Sequence, residues 1–145
     1  PVTVGYATSN RSAVIRIPAY AKSPDKRRFE LRNPDATCNP YFCYAAILMA
    51  GLDGVINKID PRTNGWGPYD FNLFHLPEEE KAKLKGLPTS LEAALDALEE
   101  DYAYLTEGGV FPEELIKNFI KRKRAECSEI AKIPHPVEFE KYYNL

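Results

Sequence analysis

The sequence carries three cysteines, Cys38, Cys43 and Cys127, an odd number with no C-x-x-C spacing. That argues against a disulfide framework and a structural zinc site, and fits reduced thiols in a cytoplasmic compartment. Histidine is scarce too. His75 and His135 have no serine or cysteine constellation beside them, so both are expected to be structural, with His135 fixing a turn between two prolines. No sign of charge dominates: 19 Lys+Arg against 21 Asp+Glu give a net charge of -2, with pI ≈ 5.8. Without a global basic field, coating of nucleic acid is excluded and any phosphate must be held by local arginines. No apolar run reaches the ~20 residues of a bilayer span. The most apolar stretch, residues 41–51, runs into Asp53, Asn57 and Lys58, and is expected to be a buried helix rather than a membrane contact. Internal repeats and low-complexity tracts are also missing. The chain opens Pro-Val-Thr-Val, without an initiator Met or a signal peptide. It begins as if inside a strand, and is expected to be a fragment.

What remains is ordinary globular material. The hydrophobic fraction is 44% and the charged fraction 28%, and a chain of this size hides roughly two-thirds of its unfolded surface. The first third reads as β structure. Val2, Val4 and Tyr6 alternate with smaller or polar residues, Ala13 to Ile17 is a second strand stopped by Pro18, and Arg27 to Arg32 is a third. Strands two and three are expected to pair as a hairpin around the Ser23-Pro24-Asp25 loop. The period then changes. Asn39 and Pro40 open a helix running from Tyr41 to about Lys58, whose small residues, Ala45, Ala46, Ala50, Gly51 and Gly54, suit close packing. A loop spans 60–69, and 76–87 is a short charged helix or turn. Thr89 and Glu92 have capping-box spacing, with Ser90 as a rival cap. The helix that follows carries Leu91, Ala94, Leu95, Leu98, Tyr102 and Leu105 on one stripe and stops at Gly108-Gly109. Pro112 opens another, with Leu115, Ile116, Phe119 and Ile120 expected inside and Lys121 to Arg124 solvated, paired with Glu126 and Glu129. A last aromatic segment, Phe139 to Tyr143, follows Pro134-His135-Pro136. Antiparallel strands followed by packed helices define an α+β chain.

The chemistry concentrates in Arg27-Arg28-Phe29-Glu30-Leu31-Arg32. On a strand, alternate residues share a face, so Arg28, Glu30 and Arg32 look one way and Phe29 and Leu31 the other. A carboxylate between guanidiniums stays ionised and can ligate a hard cation. The guanidiniums match phosphate or carboxylate by their fork geometry. Taken alone, the strand reads equally as a solvated face of alternating charge. Arg11 in a turn and Arg16 within an apolar strand, sharing a face with Ser12 and Val14, shift the balance. Five arginines between positions 11 and 32 make an anion site with one metal-capable glutamate. Ser12 has no visible base, so nucleophilic catalysis is not expected of it.

These residues also carry a resemblance. Asn10-Arg11-Ser12-Ala13-Val14-Ile15-Arg16-Ile17-Pro18 is similar to the N-R-S-x-x-I-R-I-P stretch of type I glutamine synthetases, and Arg28-Phe29-Glu30-Leu31-Arg32-x-Pro34-Asp35 to that family's R-x-E-x-R-x-P-D. Asn39-Pro40-Tyr41, Ala50-Gly51-Leu52-Asp53-Gly54 and Pro134-His135-Pro136-Val137-Glu138-Phe139-Glu140 match in the same order. The resemblance covers the whole chain, 1–145, and places it in the C-terminal portion of the catalytic domain. It implies an enzyme that joins glutamate and ammonia at the expense of ATP, through a γ-glutamyl phosphate, with magnesium or manganese. By motif position, Arg11 resembles the arginine at the transferring γ-phosphate and the glutamate substrate. Arg16 and Arg28 resemble those holding ATP phosphates, Glu30 a ligand of a divalent cation, and Arg32 the clamp on the substrate α-carboxylate. Lys26 is a weaker candidate for a lysine facing the nucleotide, because its loop differs in length.

The resemblance further implies a cytoplasmic homo-oligomer of two hexameric rings, with Tyr142 and Tyr143 in a tail that reaches a neighbouring subunit. Some bacterial relatives carry an adenylylated tyrosine in N-L-Y-x-L-P; here the stretch is Asn72-Leu73-Phe74-His75-Leu76-Pro77, and Phe74 has no hydroxyl to modify. One glutamate cannot hold two metals, so the chain by itself is expected to be inactive. Two other readings stay open: a ligase joining glutamate to a larger amine, and a non-catalytic assembly module that keeps the fold.

Overall fold

The computed structural model describes residues 3–144, and it divides after Leu87 into two compact units. Val2, assigned above to the first strand, lies outside the described residues. The class is α+β, with a three-stranded sheet and six α-helices among the described residues.

In the first unit, β1 (Thr3–Thr8), β2 (Ala13–Ile17) and β3 (Glu30–Leu31) lie in the order β1-β2-β3. The expected hairpin is present, since β2 and β3 run antiparallel with Ile15 opposite Leu31 and Arg16 opposite Glu30. The β1–β2 pair corrects the expectation of antiparallel strands: it is parallel, with Tyr6 opposite Ile15 and Ala7 opposite Arg16. Extended chain covers ~3.3–3.6 Å per residue, so the steps from Thr8 to Ala13 are just long enough to return to the start of β2. Ser9, at φ 62, starts that return. Asn10 pins it by donating from Nδ2 to the carbonyls of Tyr69 (2.9 Å) and Phe71 (2.6 Å).

The other side of β1 is closed from far along the chain. The Val4 N–H donates to the Lys85 carbonyl (2.8 Å), the Tyr6 N–H to Trp66 (2.9 Å), and the Tyr69 N–H to Tyr6 (2.9 Å). Thr3 bridges Gly86. Gly5, at φ 145, is required here: a Cβ would lie 2.7 Å from the Trp66 carbonyl oxygen and 2.5 Å from the Tyr69 ring. A small core of Ala7, Ala13, Tyr69 and Leu73, with Leu76 and Leu84 against it, holds the strap in place. Burial raises the Tyr69 pKa, and its hydroxyl donates to the Gly65 carbonyl at 2.7 Å.

Helix α1 (Pro40–Ile56) starts as expected, with the Asn39 side chain accepting from the N–H groups of Tyr41 and Phe42. It ends at Ile56, before Lys58, which takes φ 52 outside the helix. The expectation of a buried helix is not met. Only Met49 is buried, whereas Tyr41, Tyr44, Leu48, Leu52, Val55 and Ile56 are exposed. Nothing approaches Gly51 or Gly54, so these two make no close packing among the described residues. A four-residue helix α2 (Glu78–Lys81) follows, with an i,i+3 pair between Lys81 and Glu78.

The second unit is helical. Ser90, not Thr89, caps α3 (Leu91–Glu100), accepting from the Ala93 N–H at 3.1 Å. The single helix expected to reach Gly108 is broken at Asp101, whose φ -139 and ψ 80 are non-helical, before α4 (Ala103–Thr106). The break turns Tyr102 toward α5 (Glu113–Ile130), where its hydroxyl donates to Glu113 Oε1 at 2.8 Å. On α5 only Ile116 and Ile120 are buried; Leu115 and Phe119, expected inside, are exposed. The basic run 121–124 pairs with Glu126 as expected but not with Glu129. Arg122 and Lys123 meet Glu126. Arg124 reaches α3 at Asp96 and Glu99, 2.7 Å each, rather than Glu129. His135 is structural as expected: its Nδ1 accepts from the Val137 N–H, and Glu138 returns to the His135 N–H, closing a capping box on α6 (Pro136–Tyr142).

Candidate functional site

Direct opposition of Arg16 and Glu30 across β2 and β3 sets the site. Opposed residues of an antiparallel pair project to the same face with Cβ atoms ~5 Å apart. Arg16 Nη1 donates to both carboxylate oxygens of Glu30, at 3.0 and 2.9 Å. Arg32, two residues on from Glu30, brings its Nη1 to 3.8 Å of the same carboxylate. The Arg16 side chain is 16% exposed and that of Glu30 33%, so the pair is sheltered but reachable. The hydrogen bond from Arg16 holds the Glu30 carboxyl below the usual glutamate value; burial opposes this, and the charges of Arg16, Arg32 and Arg28 add to it. Nε of Arg16 and Nε of Arg32 are buried without a hydrogen-bond partner. Buried donors of this kind are costly unless an acceptor meets them.

Arg28 departs from the expected alternation. Regular strand geometry begins only at Glu30, so the face rule does not extend back to position 28. Its Nη2 donates to the Tyr20 hydroxyl at 2.6 Å, and its guanidinium carbon stands 5.0 Å from the centre of the Tyr20 ring. It still acts on Glu30 through its charge. Arg27 and Arg28 both line an open hollow of about 860 Å³, with Tyr6, Ile15, Phe29 and Trp66 among its other walls. Lys26 is exposed at the end of the 3-10 turn Pro24–Lys26.

Arg11 is not brought into the Glu30 cluster. It borders a separate hollow of about 490 Å³ with Asn10, Ser12, Asp70, Phe71 and Asn72. The Ser12 hydroxyl donates to Asn10 Oδ1 at 2.7 Å and meets no base. The structure thus gathers Arg16, Glu30 and Arg32, keeps Arg28 within electrostatic range, and sets Arg11 apart. Tyr20 is the site residue that sequence reasoning missed. Its only signal was an aromatic side chain in an otherwise polar loop, too weak to assign it to Arg28.

The donor set can be weighed against the groups named above. Three arginines, two with unsatisfied Nε donors, suit phosphate or carboxylate oxygens. A divalent cation finds one carboxylate, already engaged by Arg16. Among the described residues no group of three or more His, Cys, Asp or Glu side chains converges. The chain therefore fits the anions fully and a metal through a single oxygen-bearing side chain.

The α+β chain that carries this cluster has relatives among known proteins. The chain belongs to the glutamine synthetase catalytic-domain family, whose model matches residues 1–142. Among curated relatives it is 52% identical to the glutamine synthetase of Aquifex aeolicus over 145 residues, which is 100% of this chain and 30% of the relative. Among solved structures it matches the Plasmodium falciparum glutamine synthetase with a TM-score of 0.79 and 29% identity, over 98% of this chain and 34% of that one. It also matches GmaS in complex with ADP with a TM-score of 0.77 and 33% identity, over 100% of this chain and 30% of that one. The chain thus spans about 30% of the length of the curated relatives. Among the described residues no helix is long and apolar enough to cross a membrane.

Proposed function

We propose that residues 1–145 form the C-terminal portion of the catalytic domain of a glutamine synthetase, a cytoplasmic homo-oligomer that joins glutamate and ammonia at the expense of ATP through a γ-glutamyl phosphate. The observation that carries this reading is the Arg16–Glu30–Arg32 cluster, in which two guanidiniums meet one carboxylate and their Nε atoms are left without acceptors. Family membership and the likeness to an ADP-bound relative support a nucleotide at this site.

In this reading Arg16 and Arg28 hold phosphate oxygens of ATP. Tyr20 fixes the Arg28 guanidinium by accepting its hydrogen bond. Arg32 takes the α-carboxylate of glutamate as a two-pronged donor. Arg11, apart from the cluster, serves the transferring γ-phosphate and the substrate, where positive charge offsets the negative charge of the moving group. Glu30 does two things: it orients Arg16, and it offers one oxygen ligand to magnesium or manganese, which supplies Lewis-acid charge to the phosphate oxygens when bound. With one such ligand in the chain, the 145 residues alone are inactive.

The test is Glu30→Ala in a full-length enzyme carrying this sequence. A large loss of glutamine formation with weakened dependence on magnesium is expected. Unchanged turnover would overturn the reading in favour of a non-catalytic assembly module. An amine panel on the same enzyme separates ammonia from larger amines, and faster turnover with an alkylamine would overturn the choice of ammonia.

A further inference from the structure

Cys38 and Cys43 occupy a special pair of positions. Asn39 is the N-cap of α1 and Pro40 its first residue, so Cys38 stands just before the cap and Cys43 is the fourth residue of the helix. Side chains at these two positions meet across the first turn of a helix, where apolar pairs commonly form a staple. Here the chain is fixed on both sides of the pair. The Cys38 N–H donates to the Asp35 carbonyl at 3.1 Å, and the Cys43 N–H to the Asn39 carbonyl at 2.9 Å. Burial first, and the neighbouring Cys38 thiol next, raise the Cys43 pKa. Cys38 is exposed, Cys43 half-buried, and both are free.

We propose that Cys38 and Cys43 are a thiol pair that closes reversibly to a disulfide by exchange with a small-molecule disulfide. The exposed Cys38 attacks first, as its thiolate. A bond forms between its sulfur and one sulfur of the small disulfide, whose own S–S bond breaks and releases one thiolate. Cys43 then gives up its proton and attacks the Cys38 sulfur of this mixed disulfide, expelling the second thiol. The protein loses two S–H bonds and gains one S–S bond, while the small disulfide is reduced to two thiols. The product ties the residue before the cap to the first turn of α1, converting a non-covalent staple into a covalent one. Cys127, in α5 of the second unit, takes no part. The inference is independent of the ligase reading.

Oxidised glutathione is the probe. After incubation of the native chain, thiol alkylation and peptide mapping, the peptide or peptide pair holding Cys38 and Cys43 should be lighter by two hydrogen atoms. Both cysteines should be unalkylated, and dithiothreitol should restore them. Cys43→Ser should instead stop at a stable glutathione adduct on Cys38, a result that needs no refolding of the helix to interpret. The proposal is overturned if the unsubstituted chain also accumulates that adduct, if both thiols remain alkylatable, or if the link that forms runs to Cys127.

Discussion

A single nitrogen of Arg16, Nη1, serves both carboxylate oxygens of Glu30. The contact is one-pronged from the arginine and two-pronged from the glutamate, so it leaves Nε of the guanidinium buried without an acceptor. Glu30 therefore aims Arg16 without consuming it. The same carboxylate also anchors Arg32 more loosely, at 3.8 Å. This asymmetry leaves both arginines with donors for an incoming anion.

Tyr20→Phe keeps the ring under Arg28 and removes the hydroxyl that accepts from it. Net hydrogen bonds are worth ~1 kcal/mol. ATP should bind the full-length enzyme about three- to tenfold more weakly by titration calorimetry, while the structure stays intact by circular dichroism. Unaltered affinity would detach Tyr20 from the site.

Ser90→Ala removes the side-chain acceptor at the start of α3 and should cost ~1 kcal/mol in urea denaturation followed by helical circular dichroism. Thr89→Ala should cost far less, because Ser90 accepts from the Ala93 N–H. Equal losses at the two positions would contradict the capping geometry.

Gly5→Ala places a methyl group against the Trp66 carbonyl and the Tyr69 ring at a φ that L-residues rarely adopt. A loss of about 2 kcal/mol or more is expected, read as a lower urea midpoint of the first unit. A midpoint within error of the parent would show that the strap on β1 yields readily.

Glu113 accepts from Lys117 (2.7 Å) and from the Tyr102 hydroxyl (2.8 Å). The Lys117 contact first, and the Tyr102 bond next, lower its pKa from the ordinary 4.5. A depressed carboxyl contributes stability that is present above its unfolded pKa and lost as pH falls through the folded one. The stability gap between the parent and Glu113→Gln should be full above pH 4.5 and close in more acidic solution. A gap that is flat across that range would mean the carboxylate is not selectively stabilised in the fold.

The parts of the molecule visible in the sequence are those written in local chemistry. Asn39-Pro40 announces a capped helix, and α1 begins there. Alternation across Glu30 and Arg32 set them on one face, and the apolar run around Arg16 gave the strand that opposes them. Where distant residues decide, local pattern failed. The strands of the first third read as antiparallel, yet Asn10 is held by carbonyls some sixty positions away and β1 and β2 run parallel. The apolar stripe through Tyr102 reads as one helix, yet the pull of Glu113 on its hydroxyl goes with a break at Asp101. Arg28 followed strand periodicity only on paper, because the strand is two residues long and Tyr20 holds the guanidinium. The bare flank of α1 is the opposite case: its composition marked it as interior, but no partner for that flank is present among the described residues.

Closure of the β1 edge by Trp66 and Lys85 bears on the order of assembly. The β1–β2–β3 ribbon joins residues within about thirty positions, whereas its far edge waits for loops of sixty and eighty. Loop-closure entropy rises with separation and slows the acquisition of distant contacts. The arginine–glutamate ribbon is therefore an early-forming unit with one unsatisfied margin, and the arrival of the Trp66 and Lys85 carbonyls is the late step that seals it. During synthesis that margin stays open until Lys85 has left the ribosome.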